Sequence, residues 1–317
     1  MTVTTTSQLS ASSAMETIDL SDAYSIEVGS TFYREIRQLP RLASLRSINS
    51  ALSELLRSEN NFTFQIAEII RRDPSLTTRL LRLVNSVFFG FSRKITSIEE
   101  AVFYLGLRQI RELAMVTPVI EEIEKLSDSF QEDRWQQLWL HSIGTAILTR
   151  EIAQPMALSI NEENDYIAGL VHNIGKIVMA LIDPITLEAV TLNQTDEPTD
   201  ILEAEVGSIG YDHAMVGGLY LHAHGLSEDI VDAVMHHHSP DLGGPHRKLG
   251  AAIQLADHMA RANGISGIDP LPRPDARAVM ELAGWDLLFG EVEDAELRFA
   301  SIAHAASRLP TLLRGMV

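Results

Sequence analysis

The sequence predicts an all-α fold, and three observations predict it. Apolar residues recur at helical spacing along most of the chain after about residue 31, and the segments between them carry helix-capping residues. Alternating runs of Val, Ile, Thr and aromatic residues, which would mark strands, are missing. The expected organisation is an N-terminal group of helices, a second group starting near Asp133 and a C-terminal helical extension.

Taken in order, residues 1–27 are rich in Ser and Thr without apolar periodicity and are read as a flexible tail. The N-terminal lobe is placed at 28–128, the second lobe at 129–265 and the extension at 266–317. In "RRDPSLTTRLLRLVNSVFF", Asp73 is the expected N-cap and Pro74 the first helical residue, with Leu76, Leu80, Leu83 and Val84 following at helical spacing. Ser97 and Glu100 form a capping box, and Gly106 ends that helix.

The second lobe opens near Asp133, with Trp135, Leu138, Trp139, Ile143 and Ile147 on one helix face. Ser159 and Glu162 make another capping box, which opens the stretch "YIAGLVHNIGKIVMALI". That stretch reads as one apolar helix, interrupted by the polar pair His172-Asn173 and by a break at Gly175-Lys176. Loops are expected at 194–200, 239–245 and 264–275. The extension beyond carries Trp285, Leu287, Leu288, Phe289 and Leu297, and is expected to cap the second lobe.

Composition limits the function. The chain has 25 basic and 43 acidic residues, a net charge of -18, which repels phosphate backbones and anionic headgroups. Neither a nucleic-acid nor a membrane partner is expected. Without Cys there is no disulfide, thiolate metal site or iron–sulfur cluster. The N-terminus shows neither a basic start nor an apolar core of a signal peptide, and no apolar run approaches the roughly 18 to 20 residues of a membrane span. A cytoplasmic location is the expectation.

Charge is unevenly spread. Between Phe64 and Met115, eight basic residues face five acidic ones. Within this stretch Arg71, Arg72 and Arg79 are the candidate partner-binding residues, although solvated helix charges give the same pattern. All eleven histidines follow residue 140. His141 flanks an apolar stripe, His172 follows the small residues Ala168 and Gly169, His213 opens a helix, and His237 ends one before Pro240. Asp257 follows an apolar run and, as a carboxylate in such a setting, needs a partner. Imidazoles with a carboxylate suit iron, manganese, nickel or zinc, and suit hydrolysis of phosphate esters. Each histidine alone is more often a satisfied core or surface residue than a ligand.

The segments "LPRLASLRSINSALSELL", "IAEIIRRDPSLTTRLLRLVNSVFFG", "ITSIEEAVFYLGLRQIREL", "WLHSIGTAIL", "AGLVHNIGK", "YDHAMVGGLYL" and "IVDAVMHHHSP" follow one another as in the HDOD domain, a branch of the HD superfamily found in bacterial signalling proteins. The resemblance spans roughly Phe32 to Pro240. It implies an all-α protein with an N-terminal helical lobe packed against an HD-like second lobe, and a regulatory role. Carried over from the catalytic HD and HD-GYP phosphohydrolases, the metal ligands would be His141, His172, His213, His237 and Asp257, with Asn173 where the relatives place a bridging Asp. Gln137 stands where some relatives use Glu, and no "GYP" follows "HHHSP".

Two functions follow from the resemblance. The first is a non-catalytic signalling module that binds a protein partner or a nucleotide, with a degenerate site holding at most one divalent metal. The alternative is a metal-dependent phosphohydrolase or phosphodiesterase acting on a nucleotide, with His141, His172, His237 and Asp257 on one metal and Lys176 stabilising phosphate charge. Oligomeric state is left open by the sequence.

Overall fold

The computed structural model describes residues 17–19, 25–27, 31–38, 93–104, 132–156, 164–192, 201–268, 271–290 and 294–313, with Ile70, Thr77, Leu80, Leu81, Val84, Asn85 and Leu158 as isolated positions. Most of the expected N-terminal lobe lies outside these residues. So do Arg71, Arg72 and Arg79, the Asp73-Pro74 helix start, the Ser159–Glu162 capping box and the expected loop at 194–200.

The described fold is all-α apart from one short hairpin. Strands β1 (Thr17–Asp19) and β2 (Ser25–Glu27) pair antiparallel, Ile18 opposite Ile26. Among the described residues, these six are the exception to the expected absence of strands. Three-residue strands are too short for a period-2 pattern to stand out.

Helix α1 (Thr31–Gln38) buries Tyr33 and Ile36, and Tyr33 Oη lies 3.1 Å from Nδ1 of His222. Further along, the Ser97 hydroxyl accepts the Glu100 N–H, as the capping box requires. The Glu100 carboxylate reaches back to the N–H of Thr96 rather than of Ser97.

The second lobe contains α2 (Glu132–Ala153), α3 (Asn164–Val171), α4 (Ile174–Ile182), α5 (Pro184–Leu192), α6 (Ile201–Ile209), α7 (His213–Ala223), α8 (Glu228–Met235) and α9 (Arg247–Ala262). Helix α2 packs on both α3 and α9, and this overturns its single apolar face: His141, Ser142, Thr145 and Thr149 are buried along with Leu138 and Ile143. A helix enclosed by neighbours need not be amphipathic.

The break in the 166–182 stretch falls at His172-Asn173, between α3 and α4, and Gly175 and Lys176 lie inside α4. Residues 164–182 are apolar enough on average to span a membrane, but 89% of that window is buried in the protein. These helices are core.

Glycines set the close contacts. A Cβ on Gly169 would lie 2.7 Å from Ala146 Cα, so the small residues before His172 admit the α2 backbone rather than leaving space. A Cβ on Gly175 would lie 1.8 Å from the carbonyl oxygen of His213, so α4 and the start of α7 touch through backbone. Gly175 is there for proximity, not for a turn.

The expected loop at 239–245 contains a 3-10 turn, Pro240–Leu242. Its far side is held by Asp232, which accepts the N–H groups of Gly244 (3.0 Å) and His246 (2.9 Å). The segment 264–275 is non-helical among its described residues, with Gly264 and Gly267 at positive φ. In the extension, α10 (Ala283–Phe289) packs on α9 through Trp285, Leu288 and Phe289, and α11 (Ala295–Leu312) lies on α2 and α9. Leu297, expected among its apolar contacts, is exposed.

Two predictions follow from this packing. Gly175→Ala is expected to destabilise the chain by at least about 2 kcal/mol, because backbone on both sides cannot yield as a side chain would. A melting temperature equal to wild type would contradict the contact. For Asp232, burial disfavours the charge, but hydrogen bonds from His236, Gly244 and His246 outweigh it and hold the carboxyl below its ordinary value of 3.8. Its folded-state value is depressed, so its stabilisation is present above the unfolded value and disappears as pH falls through the folded one. Asp232→Asn should therefore cost about 1–2 kcal/mol at pH 7 and progressively less toward pH 3, measured by denaturant unfolding at each pH.

Candidate metal site

Helix ends bring the histidines together. His172 and His237 each sit just past a helix, α3 and α8, where the last carbonyls lack intrahelical donors. Each ring uses that deficit: His172 Nδ1 donates to Gly169 O at 2.7 Å, and His237 Nδ1 to Val234 O at 2.6 Å. His141, from the middle of α2, donates through Nδ1 to Ile265 O at 2.7 Å. His213, the first residue of α7, has its Nδ1 2.7 Å from Glu205 Oε2. Carbonyl and carboxylate oxygens only accept, so the proton is fixed on Nδ1 in all four rings.

Four of the sequence-predicted ligands therefore turn Nε2 toward a common interior. Adjacent rings lie close: His141 to His172 at 5.2 Å between centroids, His172 to His237 at 5.3 Å, and His213 to His237 at 5.6 Å. The ligand atoms form two groups, His141–His172–Asp257 and His213–His237–His238, and within each group they lie within 4.8 Å of one another. His237 Nε2 is buried and makes no hydrogen bond.

Asp257, on α9, joins the first group. Its Oδ1 is 3.0 Å from His141 Nε2 and 4.0 Å from His172 Nε2, while Oδ2 accepts from Arg261 at 2.7 Å. Burial alone would push this carboxyl up, but the Arg261 guanidinium and the neighbouring His141 and His172 hold it well below the ordinary range. With Nδ1 of His141 already donating, the contact between its Nε2 and Oδ1 needs a proton or a metal ion between two lone pairs. That is the requirement a divalent cation meets.

Burial drives His172 well down, helped by His141 and His237, so its ring is neutral and able to ligate. Burial likewise lowers His237, and His238 is lowered by burial and by His237 and His213. Anchored Nδ1 groups, neutral rings, one ionised carboxylate and an unbonded His237 Nε2 together fit a borderline divalent cation.

Asn173 contacts one of the converging ligand atoms through its side chain. Its amide Nδ2 is 2.7 Å from His172 Nε2 and, since His172 Nδ1 carries the proton, the amide donates. Lys176 is 1% exposed on α4, and its charge acts on Glu205, His237 and His238. Gln137, one turn before His141, is exposed and lines a cleft with Leu140, Ile265 and Leu313.

Sequence reasoning missed three site residues: His238, Glu205 and Arg261. His238 was one of three consecutive histidines with nothing to separate it from its neighbours. Arg261 lies one turn after Asp257, a spacing that could have identified the carboxylate's partner. Glu205, half a helix away from His213 across a loop, left no local signal.

Burial pushes the Glu205 carboxyl up, while Lys176, the His213 N–H and His237 oppose the shift. Lys176→Met is thus expected to leave this buried carboxylate undercompensated and to destabilise the chain by about 3–5 kcal/mol in denaturant unfolding. A loss below about 1 kcal/mol would mean that the two charges do not compensate each other.

The sequence matches the HDOD domain family over residues 42–240, more than half of the chain. An uncharacterized protein of Treponema pallidum (strain Nichols) is 26% identical over 240 residues, 74% of this chain and 45% of that protein. The chain thus spans less than half the length of that curated relative. Among solved structures, an HDOD domain protein of unknown function from Geobacter sulfurreducens is similar at a TM-score of 0.62 and 23% identity, over 87% of this chain and 98% of its own. A Shewanella amazonensis SB2B protein provisionally named a phosphohydrolase gives 0.61 and 21%, over 90% and 99%. One from Marinobacter aquaeolei VT8, provisionally named a signal transduction protein, gives 0.52 and 17%, over 90% and 68%. At these identities the likeness is one of fold, and it is the match over 42–240 that decides the family. The chain belongs to the HDOD family.

Proposed function

We propose that the chain is a regulatory module that acts by binding a signalling protein or a nucleotide, and that its histidine pocket takes up one divalent cation without hydrolysing phosphate esters. The observation that carries this reading is the Asn173 amide donating to His172 Nε2. A bridged pair of cations needs an anionic oxygen between them, and an amide brings none. At about 4 Å two divalent ions repel by on the order of 15 kcal/mol even at an effective dielectric of ~20.

Neither Asp257 nor Glu205 fills that place. Asp257 serves the first group and is tied on its other oxygen by Arg261. Glu205 faces the outer nitrogen of His213. His141, His172 and Asp257, with His237 next to them, would hold the cation once the Asn173 amide leaves His172 Nε2, or His213, His237 and His238 would. When bound, the cation supplies a Lewis acid and a fixed positive charge for an anionic ligand. Gly169 O keeps His172 oriented, the Asn173 amide occupies its Nε2 lone pair until a cation takes it, and Lys176 and Arg261 add positive charge at either group.

The alternative, a metal-dependent phosphohydrolase or phosphodiesterase acting on a nucleotide, draws on the same imidazoles and on buried Lys176. The test is metal content and turnover measured together. After incubation with Mn²⁺ or Fe²⁺ and removal of excess, the chain is expected to retain about one ion and to leave bis(p-nitrophenyl) phosphate intact. Asn173→Asp should raise retention toward about two. Turnover by wild type that His172→Ala abolishes would establish the hydrolase instead, and retention near zero would remove the cation from the reading.

A further inference from the structure

We propose that Glu205 is a positioning residue that locks His213 with its Nε2 presented to a cation; this rests on the cation-binding reading above and deepens it. Glu205 is 0% exposed, and it and Ile201 are the buried residues of α6. Its Oε2 accepts both the backbone N–H of His213 at 2.9 Å and the ring Nδ1–H at 2.7 Å. Two bonds from one oxygen fix the backbone and the ring of a single residue. Helix capping does not explain them, because Asp212 already caps α7 by accepting the N–H of Met215 at 2.7 Å. Packing does not explain them either, since an apolar side chain would fill the same space without a buried charge.

The anchor also differs in kind. His141, His172 and His237 donate Nδ1 to main-chain carbonyls, whereas His213 donates to a carboxylate. A carboxylate behind an imidazole fixes the tautomer and strengthens the far nitrogen as a ligand. The far nitrogen of His213 lies 2.9 Å from His238 Nε2, in the group where His237 Nε2 is unbonded. This group has no carboxylate among its own ligand atoms, and Glu205 supplies the negative charge from behind.

The test uses the full chain labelled with ¹⁵N-histidine. In metal-free protein, long-range ¹H–¹⁵N correlations should show His213 protonated at Nδ1; an Nε2-protonated His213 would overturn the proposal. Co²⁺ titration read by visible absorption, at a temperature where circular dichroism shows the variant folded, should then show Glu205→Gln binding about 10- to 100-fold more weakly than wild type. Affinity undiminished by Glu205→Gln overturns the role of Glu205 while leaving the cation reading intact. Failure of the wild-type chain to bind Co²⁺ overturns the cation reading itself, and the proposal with it. Should Glu205→Gln not fold, the tautomer of His213 in the wild-type chain decides by itself.

Discussion

His141, His172, His213 and His237 can crowd into this interior only because the Nδ1 of each has an acceptor. A buried ring with an unpaired N–H would cost about 1–3 kcal/mol, and several together would outweigh much of the marginal stability of a domain. The helix ends meet that demand cheaply, because carbonyls left over at the ends of α3 and α8 need donors as much as His172 and His237 need acceptors. One local arrangement, a histidine just past a helix donating three residues back, therefore occurs twice. Its consequence is chemical: Nε2 is left as the inward-facing ligand atom.

Glycine sets the distances over which those rings meet. Gly169 lets α3 approach the α2 backbone, and Gly175 lets α4 touch the first residue of α7. The turn carrying His172 and Asn173 lies between these two contacts, so its position is fixed from both sides. Small residues here serve close approach rather than flexibility, and this accounts for a buried polar pair in an otherwise apolar segment.

Within that frame one atom type changes the chemistry. A carboxylate at position 173 would offer anionic oxygens between the two ligand groups, while the amide present offers a donor that His172 Nε2 accepts. The pocket keeps its imidazoles, its ionised Asp257 and two flanking cationic side chains, Lys176 and Arg261. What position 173 lacks is the negative charge that lets two cations share a bridge.

Helical spacing and caps made the all-α class legible from the chain alone, while the HD-like lobe and the candidates His141, His172, His213, His237 and Asp257 came from the resemblance of its motifs to the HDOD domain. These are local properties, written in neighbours three or four residues apart or in a motif's own residues. Tertiary structure decided what depends on other elements: the burial of α2 on several faces, the break at His172-Asn173 instead of Gly175, and the roles of Glu205, His238 and Arg261. A proton's place on a histidine is set by whichever oxygen packing brings within 3 Å, and for His141 that oxygen belongs to Ile265, on a different element. Sequence spacing carries no record of it.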